Sequence, residues 1–85
     1  MTVENMTAII AERVREVRKL RGWSQKELAK RAEVHHVALN RLEKGHKVAV
    51  HAETVRRLAE ALRVTADYLL GLSDELGKSE MNPAA

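Results

Sequence analysis

The histidines are the residues that first suggest chemistry in this sequence of 85 residues. Imidazole is a common metal ligand, and the four histidines are His35, His36, His46 and His51. His35 and His36 are adjacent, so on a helix their side chains point in different directions. No two histidines have the spacing of a chelating pair on a helix, and the sequence contains no Cys. We therefore expect no metal site and no cofactor.

Patterns that carry catalysis are equally weak. The sequence has no glycine-rich phosphate loop and no arrangement of Ser, His and Asp suited to nucleophilic chemistry. A helical domain of this size also offers no deep pocket for a substrate. The sequence therefore predicts that the protein is not an enzyme.

Positive charge is concentrated in the first three-fifths of the chain. Residues 1–51 have a net charge of +5 and residues 52–85 a net charge of −2, which gives the total of +3. An excess of Lys and Arg favours a polyanion such as nucleic acid as the partner. No apolar run approaches the length of a membrane span, and the lack of Cys suits a reducing compartment. We expect a cytoplasmic protein that does not bind membranes.

Helical spacing predicts the elements that would position these charges. Apolar residues spaced by four and three predict one buried stripe on a first helix, formed by Ile10, Val14, Val17 and Leu20. Gly22 ends that helix, since glycine is common just past the last turn. The only aromatic residues are Trp23 and Tyr68, so we expect an aliphatic core.

The next two helices are short. Ser24 and Glu27 form a capping-box pattern, which predicts a second helix that stops near Glu33. A third helix is predicted over residues 35–44, with Gly45 ending it.

Two further helices complete the predicted domain. A fourth helix turns Val55, Leu58, Ala59 and Leu62 inward, and Thr65 caps a short fifth helix. The sequence becomes polar beyond Leu72. We predict one domain over residues 1–72 and a flexible tail over residues 73–85.

The pair of short helices over residues 25–44 has a distinctive apolar spacing. It would pack two helices at a steep angle across a tight turn, which is typical of a helix-turn-helix DNA-binding unit. The apolar positions of this unit are Leu28, Ala29, Ala32, Val34, Leu39 and Leu42.

Several motifs in order make residues 10–72 resemble the Cro/phage-repressor family, also called XRE-type. The matching stretches are residues 13–18 (RVREVR), 22–29 (GWSQKELA), 42–45 (LEKG) and 67–71 (DYLLG). The resemblance implies an all-α, five-helix lambda-repressor-like bundle. It also implies a homodimer that binds double-stranded DNA with an inverted-repeat operator.

In that family the third helix enters the major groove, so the resemblance implies which residues touch DNA. Arg41 suits guanine, Asn40 adenine and Val37 a thymine methyl group. The implied base contacts are His36, Val37, Asn40 and Arg41. The implied phosphate contacts are Ser24, Gln25, His35, Lys44, His46 and Lys47.

Two structural contacts complete the prediction. Arg18 and Glu43 match a family ion pair that joins the first helix to the end of the third. The apolar surplus of the fifth helix predicts a dimer interface formed by Tyr68, Leu69 and Leu72.

The sequence departs from the family pattern at its turns. Glu33 and Arg63 stand where glycine is usual, so either these turns differ or strain of about 1 kcal/mol is tolerated at each. His35 stands where Ser or Thr commonly caps the third helix. The loop between Gly45 and Thr54 is one residue longer than usual and lacks a proline.

The sequence thus predicts sequence-specific binding of double-stranded DNA and regulation of transcription, with repression as the expected outcome. The alternative is an antitoxin that binds a toxin-like protein through the fifth helix or the tail and also regulates its own promoter.

Overall fold

The computed structural model describes residues 3–45 and 50–76, with side chains from Met6 onward. Its regular elements are five helices: α1 (Val3–Leu20), α2 (Gln25–Ala32), α3 (His36–Glu43), α4 (Ala52–Leu62) and α5 (Ala66–Leu69). Helix α1 packs against α3, α4 and α5, while α2 packs against α3 and α4. The predicted all-α bundle of five helices is confirmed.

Side-chain caps begin two of the short helices. The Ser24 hydroxyl accepts a hydrogen bond from the backbone N–H of Glu27 at 3.1 Å, as the capping-box pattern predicts. Thr65 does the same for the N–H of Tyr68 at 3.0 Å. Each bond satisfies one of the backbone donors that the first turn of a helix leaves free.

Two helices end in the left-handed conformation without glycine. Glu33 has φ 57° and Arg63 has φ 64°. The turns therefore keep the geometry that glycine usually provides, and these two residues carry the strain. In both turns the next backbone N–H reaches back to the helix, Val34 to the Ala29 carbonyl and Val64 to the Ala59 carbonyl, each at 3.0 Å.

The core is aliphatic, as expected. Its most deeply buried side chains come from all five helices and from the turn between α4 and α5: Ile10, Val14, Val17, Leu28, Leu39, Leu58, Leu62, Val64 and Leu69. Trp23 and Tyr68 are half-buried and pack at its margin.

The predicted stripe on α1 is wrong at its last position. Ile10, Val14 and Val17 are buried, but Leu20 is 69% exposed. Leu20 is the final residue of α1. It continues the apolar spacing of the stripe, but the other helices do not cover the end of α1.

The chain after α5 folds back onto the bundle. The Arg13 guanidinium donates to the carbonyls of Tyr68 at 2.8 Å and Ser73 at 2.6 Å, and also to the Asp74 carboxylate at 2.9 Å. It lies 4.3 Å from the centre of the Tyr68 ring. Residues 73–76, which the sequence assigns to the tail, therefore contact the bundle; residues 77–85 lie outside the described part of the chain.

Within the described residues, no helix is both long enough and apolar enough to cross a membrane.

Candidate nucleic-acid interface

Helix α3 is fixed to the bundle by its inner face. Leu39 and Leu42 are 2% and 3% exposed and belong to the core. Their spacing of three residues places both on the side that faces α1 and α2. The opposite side of α3 is thereby turned away from the core.

A polar cluster around the buried Glu43 carboxylate fixes α3 further. Arg18 on α1 forms a two-pronged ion pair with the Glu43 carboxylate, with Nε to Oε2 at 2.8 Å and Nη2 to Oε1 at 2.9 Å. The Glu43 side chain is 2% exposed and that of Arg18 is 12% exposed. This is the contact between α1 and the end of α3 that the resemblance implies.

Two amides extend this cluster to α2 and along α3. Gln25 Nε2 donates to Glu43 Oε1 at 3.1 Å, and Asn40 Nδ2 donates to Gln25 Oε1 at 3.0 Å. We call Arg18, Gln25, Asn40 and Glu43 the anchor cluster. Since its members come from α1, α2 and α3, it sets the rotation of α3 about its own axis as well as its position.

The anchor cluster changes how two predicted DNA contacts are understood. Asn40 is half-buried, and its bond to Gln25 uses one of its two amide N–H donors, so its other N–H and its oxygen are left for adenine. Gln25 is more constrained, because it donates to Glu43 and its oxygen accepts from Asn40, which leaves one amide N–H for a phosphate.

The outer face of α3 is exposed. Val37 is 64% exposed, and the other exposed side chains on this helix and its last cap are His36, Ala38, Arg41 and Lys44. Ala38 is exposed but is not among the residues that the sequence predicts to contact DNA. Its position next to Val37 and three residues before Arg41 was the available signal.

The start of α3 has no side-chain cap. His35 occupies the N-cap position and is exposed, but its ring makes no capping hydrogen bond. The first-turn N–H groups of α3 are therefore not satisfied by this side chain. Ser24 is exposed at the start of α2, next to Gln25, so the starts of both helices carry predicted phosphate contacts.

A groove of about 390 Å³ separates α3 from the start of α4. It is lined by His35, Val37, Ala38, Arg41, Leu42, Val50, His51 and Thr54. The predicted contacts His46 and Lys47 lie in residues 46–49, outside the described residues.

The predicted dimer interface needs one correction. Leu69 is 0% exposed, because α5 turns it into the core between α1 and α4, so it is not available to a partner. Leu72 is 73% exposed and Tyr68 is half-buried. The exposed Leu20 and Leu76 line a shallow apolar depression together with Tyr68.

A second ionic cluster lies on α4. Arg56 bonds to Glu53 and Glu60, and Arg57 Nε bonds to Glu53 at 2.8 Å. We call these four residues the α4 cluster. Hydrogen bonds from Arg56 and Arg57 lower the pKa of Glu53 to about 2, and the pairing with Glu53 raises the pKa of Arg56.

Comparison with known proteins agrees with this geometry. A family described as helix-turn-helix matches residues 14–69, which is 56 of the 85 residues. The crystal structure of a hypothetical transcription factor from Neisseria, NHTF, is similar, with a TM-score of 0.74 and 25% sequence identity over 98% of this chain and 86% of that one. No curated protein matches the chain. With a buried anchor beneath an exposed third helix, and a family match over two-thirds of its length, the chain belongs to the Cro/phage-repressor (XRE-type) helix-turn-helix family and is a DNA-binding transcriptional regulator.

Proposed function

We propose that the protein binds a specific double-stranded DNA sequence as a homodimer, with α3 in the major groove, and represses transcription from the bound site in the cytoplasm. The observation that carries this proposal is the contrast between the two faces of α3. Its inner face is held by the core and the anchor cluster, while its outer face exposes His36, Val37 and Arg41. A fixed helix that presents free side chains suits the reading of base edges.

The outer face divides into two kinds of contact. His36, Val37 and Arg41 lie in the first two turns of α3, the part of a recognition helix that contacts base edges. Lys44 at the end of α3, and Ser24, Gln25 and His35 at helix starts, suit phosphates. Asn40 supports Gln25 through one amide N–H, and its remaining N–H and oxygen suit adenine.

Dimerisation follows from the size of the site. A single α3 covers only a few base pairs, whereas two copies related by a two-fold axis read an inverted repeat with half-sites about 34 Å apart. Apolar side chains near α5 support a contact there: Leu72 is exposed, and the half-buried Tyr68 lines a depression with Leu20 and Leu76.

The decisive experiment selects bound duplexes from a random DNA pool. We expect an inverted repeat to be enriched. Arg41→Ala should then relax the preference at one base-pair position per half-site, at a cost of about 1–3 kcal/mol. A pool that shows no enriched sequence would contradict specific binding.

Lys44→Ala is the matched control for Arg41→Ala. Because a phosphate contact carries no base information, this variant should weaken all duplexes about equally and lower the salt slope by about one counterion. A loss of preference at a single base pair in Lys44→Ala would contradict its assignment to the phosphate backbone.

The second candidate function is that of an antitoxin. The same apolar residues near α5 favour it, because a partner protein would cover Leu20 and Leu72 as well as a second copy would. Sedimentation of the protein, alone and with operator DNA, distinguishes the two. A dimer that dissociates in Leu72→Glu supports self-association, and a monomer in the presence of operator DNA supports the partner.

A further inference from the structure

Two arginines of α1 reach across the bundle to the last residue of another helix. Arg15 Nη1 donates to the backbone carbonyl of Glu43, the last residue of α3, at 2.7 Å. Arg21 donates to the carbonyl of Leu62, the last residue of α4, through Nε at 2.9 Å and Nη2 at 2.7 Å. The last carbonyls of a helix have no partner within it, and a cation beside them is favourable. Each arginine therefore caps a neighbouring helix at its C-terminal end.

The two capped helix ends differ in their distance along the chain from the proposed DNA contacts. Lys44, a proposed phosphate contact, comes directly after Glu43, and Arg41, a proposed base contact, lies two residues before it. The proposed DNA contacts include no residue from the last turn of α4. A shift of the end of α3 should therefore weaken DNA binding, whereas the same shift at the end of α4 should not.

The bond from Arg15 holds a different part of Glu43 than the ion pair does. Arg18 binds the carboxylate, which is joined to the helix by a flexible side chain, so the backbone can shift while the ion pair is kept. The carbonyl that Arg15 binds belongs to the helix backbone itself. The two arginines lie three residues apart on one face of α1. Together they hold Glu43 by its main chain and by its side chain.

We infer that Arg15 is a positioning residue for DNA binding, which fixes the C-terminal end of α3 through the Glu43 carbonyl without contacting DNA. This inference rests on the proposed placement of α3 in the major groove. The half-buried Arg15 thus acts through Lys44 and Arg41, whose side chains are exposed.

Arg15→Ala and Arg21→Ala form a matched pair of variants, because each removes one arginine from one helix end. Kd for the selected operator should rise about tenfold in Arg15→Ala, the factor for one hydrogen bond from a charged donor, and less than about twofold in Arg21→Ala. The salt slope should keep its wild-type value in both variants, since neither arginine is placed on a phosphate. Arg15→Lys, which keeps a donor and the positive charge, should restore most of the affinity.

Hydrogen exchange of the free protein tests the position of the end of α3 without DNA. The backbone N–H groups of Lys44 and Gly45 bond to carbonyls of α3 at 3.1 Å and 3.0 Å, and that of Val64 bonds to a carbonyl of α4 at 3.0 Å. In Arg15→Ala the amides of Lys44 and Gly45 should exchange about tenfold faster, with Val64 unchanged. In Arg21→Ala the amide of Val64 should exchange faster, with the other two unchanged.

The outcomes separate this inference from the proposed function. An enriched operator with equal Kd in Arg15→Ala and Arg21→Ala would overturn the inference and leave specific DNA binding intact. A salt slope that falls by about one counterion in Arg15→Ala would also overturn it, because Arg15 would then be a phosphate contact. Unchanged exchange of Lys44 and Gly45 in Arg15→Ala would show that Arg15 does not fix the end of α3. A selection that enriches no sequence would overturn the proposed function and this inference together.

Discussion

The anchor cluster and the α4 cluster both contain Arg–Glu ion pairs at similar distances, but these pairs differ in their exposure to water. Arg18 and Glu43 pair at 2.8 Å with side chains 12% and 2% exposed. Arg56 and Glu53 pair at 2.6 Å with side chains 55% and 53% exposed. Water and salt screen the second pair and hardly reach the first.

The distance between the charged atoms therefore does not by itself determine how much each ion pair contributes to stability. A buried carboxylate that loses its partner keeps the full cost of its removal from water, whereas an exposed one is solvated at once. The anchor cluster also joins three helices, while the ion pairs of the α4 cluster lie within one. The anchor cluster therefore determines where α3 lies, whereas the ion pairs of the α4 cluster do not position one helix against another.

The largest expected effect comes from breaking the buried pair. Arg18→Ala should lower the free energy of unfolding by about 2–4 kcal/mol, because Glu43 stays buried without its cation. For a domain of this size the melting temperature should fall by more than about 10 °C, measured by circular dichroism. Lys19→Ala, one residue away and exposed, is the control. If Arg56→Ala lowered the melting temperature as much, burial would not be the reason for the difference.

A smaller effect is expected on DNA affinity when the bridge in the anchor cluster is removed. Gln25→Ala deletes the amide that joins Asn40 to Glu43 and leaves the ion pair in place. Kd for the operator should rise about tenfold, and by a similar factor for other duplexes, because the lost contacts position α3 and a phosphate. Glu60→Ala in the α4 cluster should leave Kd unchanged in the same titration. An equal rise in Kd in Gln25→Ala and Glu60→Ala would show that the two clusters do not differ in their effect on DNA binding.

Removing the strain at one of the two left-handed turns should stabilise the protein by about 1 kcal/mol. Glu33→Gly should raise the free energy of unfolding by that amount, because glycine adopts φ near 57° without a steric cost. The Glu33 carbonyl, which accepts from Arg57 Nη1 at 2.8 Å, is retained in the variant. Lys30→Gly, inside α2, is the control and should destabilise the protein in the same urea titration. A loss of stability in Glu33→Gly would show that its side chain matters more than its backbone.

The smallest expected effect concerns acid stability. The pKa of Glu53 is lowered from 4.5 to about 2, so its pairing stabilises the fold above about pH 4.5 and is lost as pH falls through about 2. Melting temperatures of wild type and Glu53→Gln should differ slightly near about pH 6 and converge near about pH 2. High salt should shrink the difference at the higher pH, since both partners are exposed. A difference that grows on acidification would reverse the assigned sign.

Local rules predicted the parts of the fold that are determined locally. Ser24 and Thr65 cap their helices because a hydroxyl at that position meets a free N–H three residues on, whatever the tertiary structure. At Glu33 and Arg63 the sequence left two possibilities open. Strain and a different turn are equally compatible with a missing glycine until φ is known.

The errors came from features that depend on packing between helices. Leu20 and Leu69 fit apolar patterns equally well, yet one is 69% exposed and the other 0% exposed, because helix neighbours cover only one of them. The bond from Asn40 to Gln25 depends on the exact position of α3 against α2, which apolar spacing does not give. The sequence thus indicated the outer face of α3 but not that Asn40 also bonds to α2.

The contacts of Arg13 have a consequence for any attempt to shorten the protein. A fragment that stops after Leu72 loses the Ser73 carbonyl and the Asp74 carboxylate that Arg13 binds. It also loses the Leu76 carbonyl, which accepts from the backbone N–H of Thr65 at 3.2 Å, just before α5. The smallest fragment that retains the native α5 therefore extends to Leu76, and a protease that cuts before this residue should loosen α5, the helix nearest the proposed dimer contact.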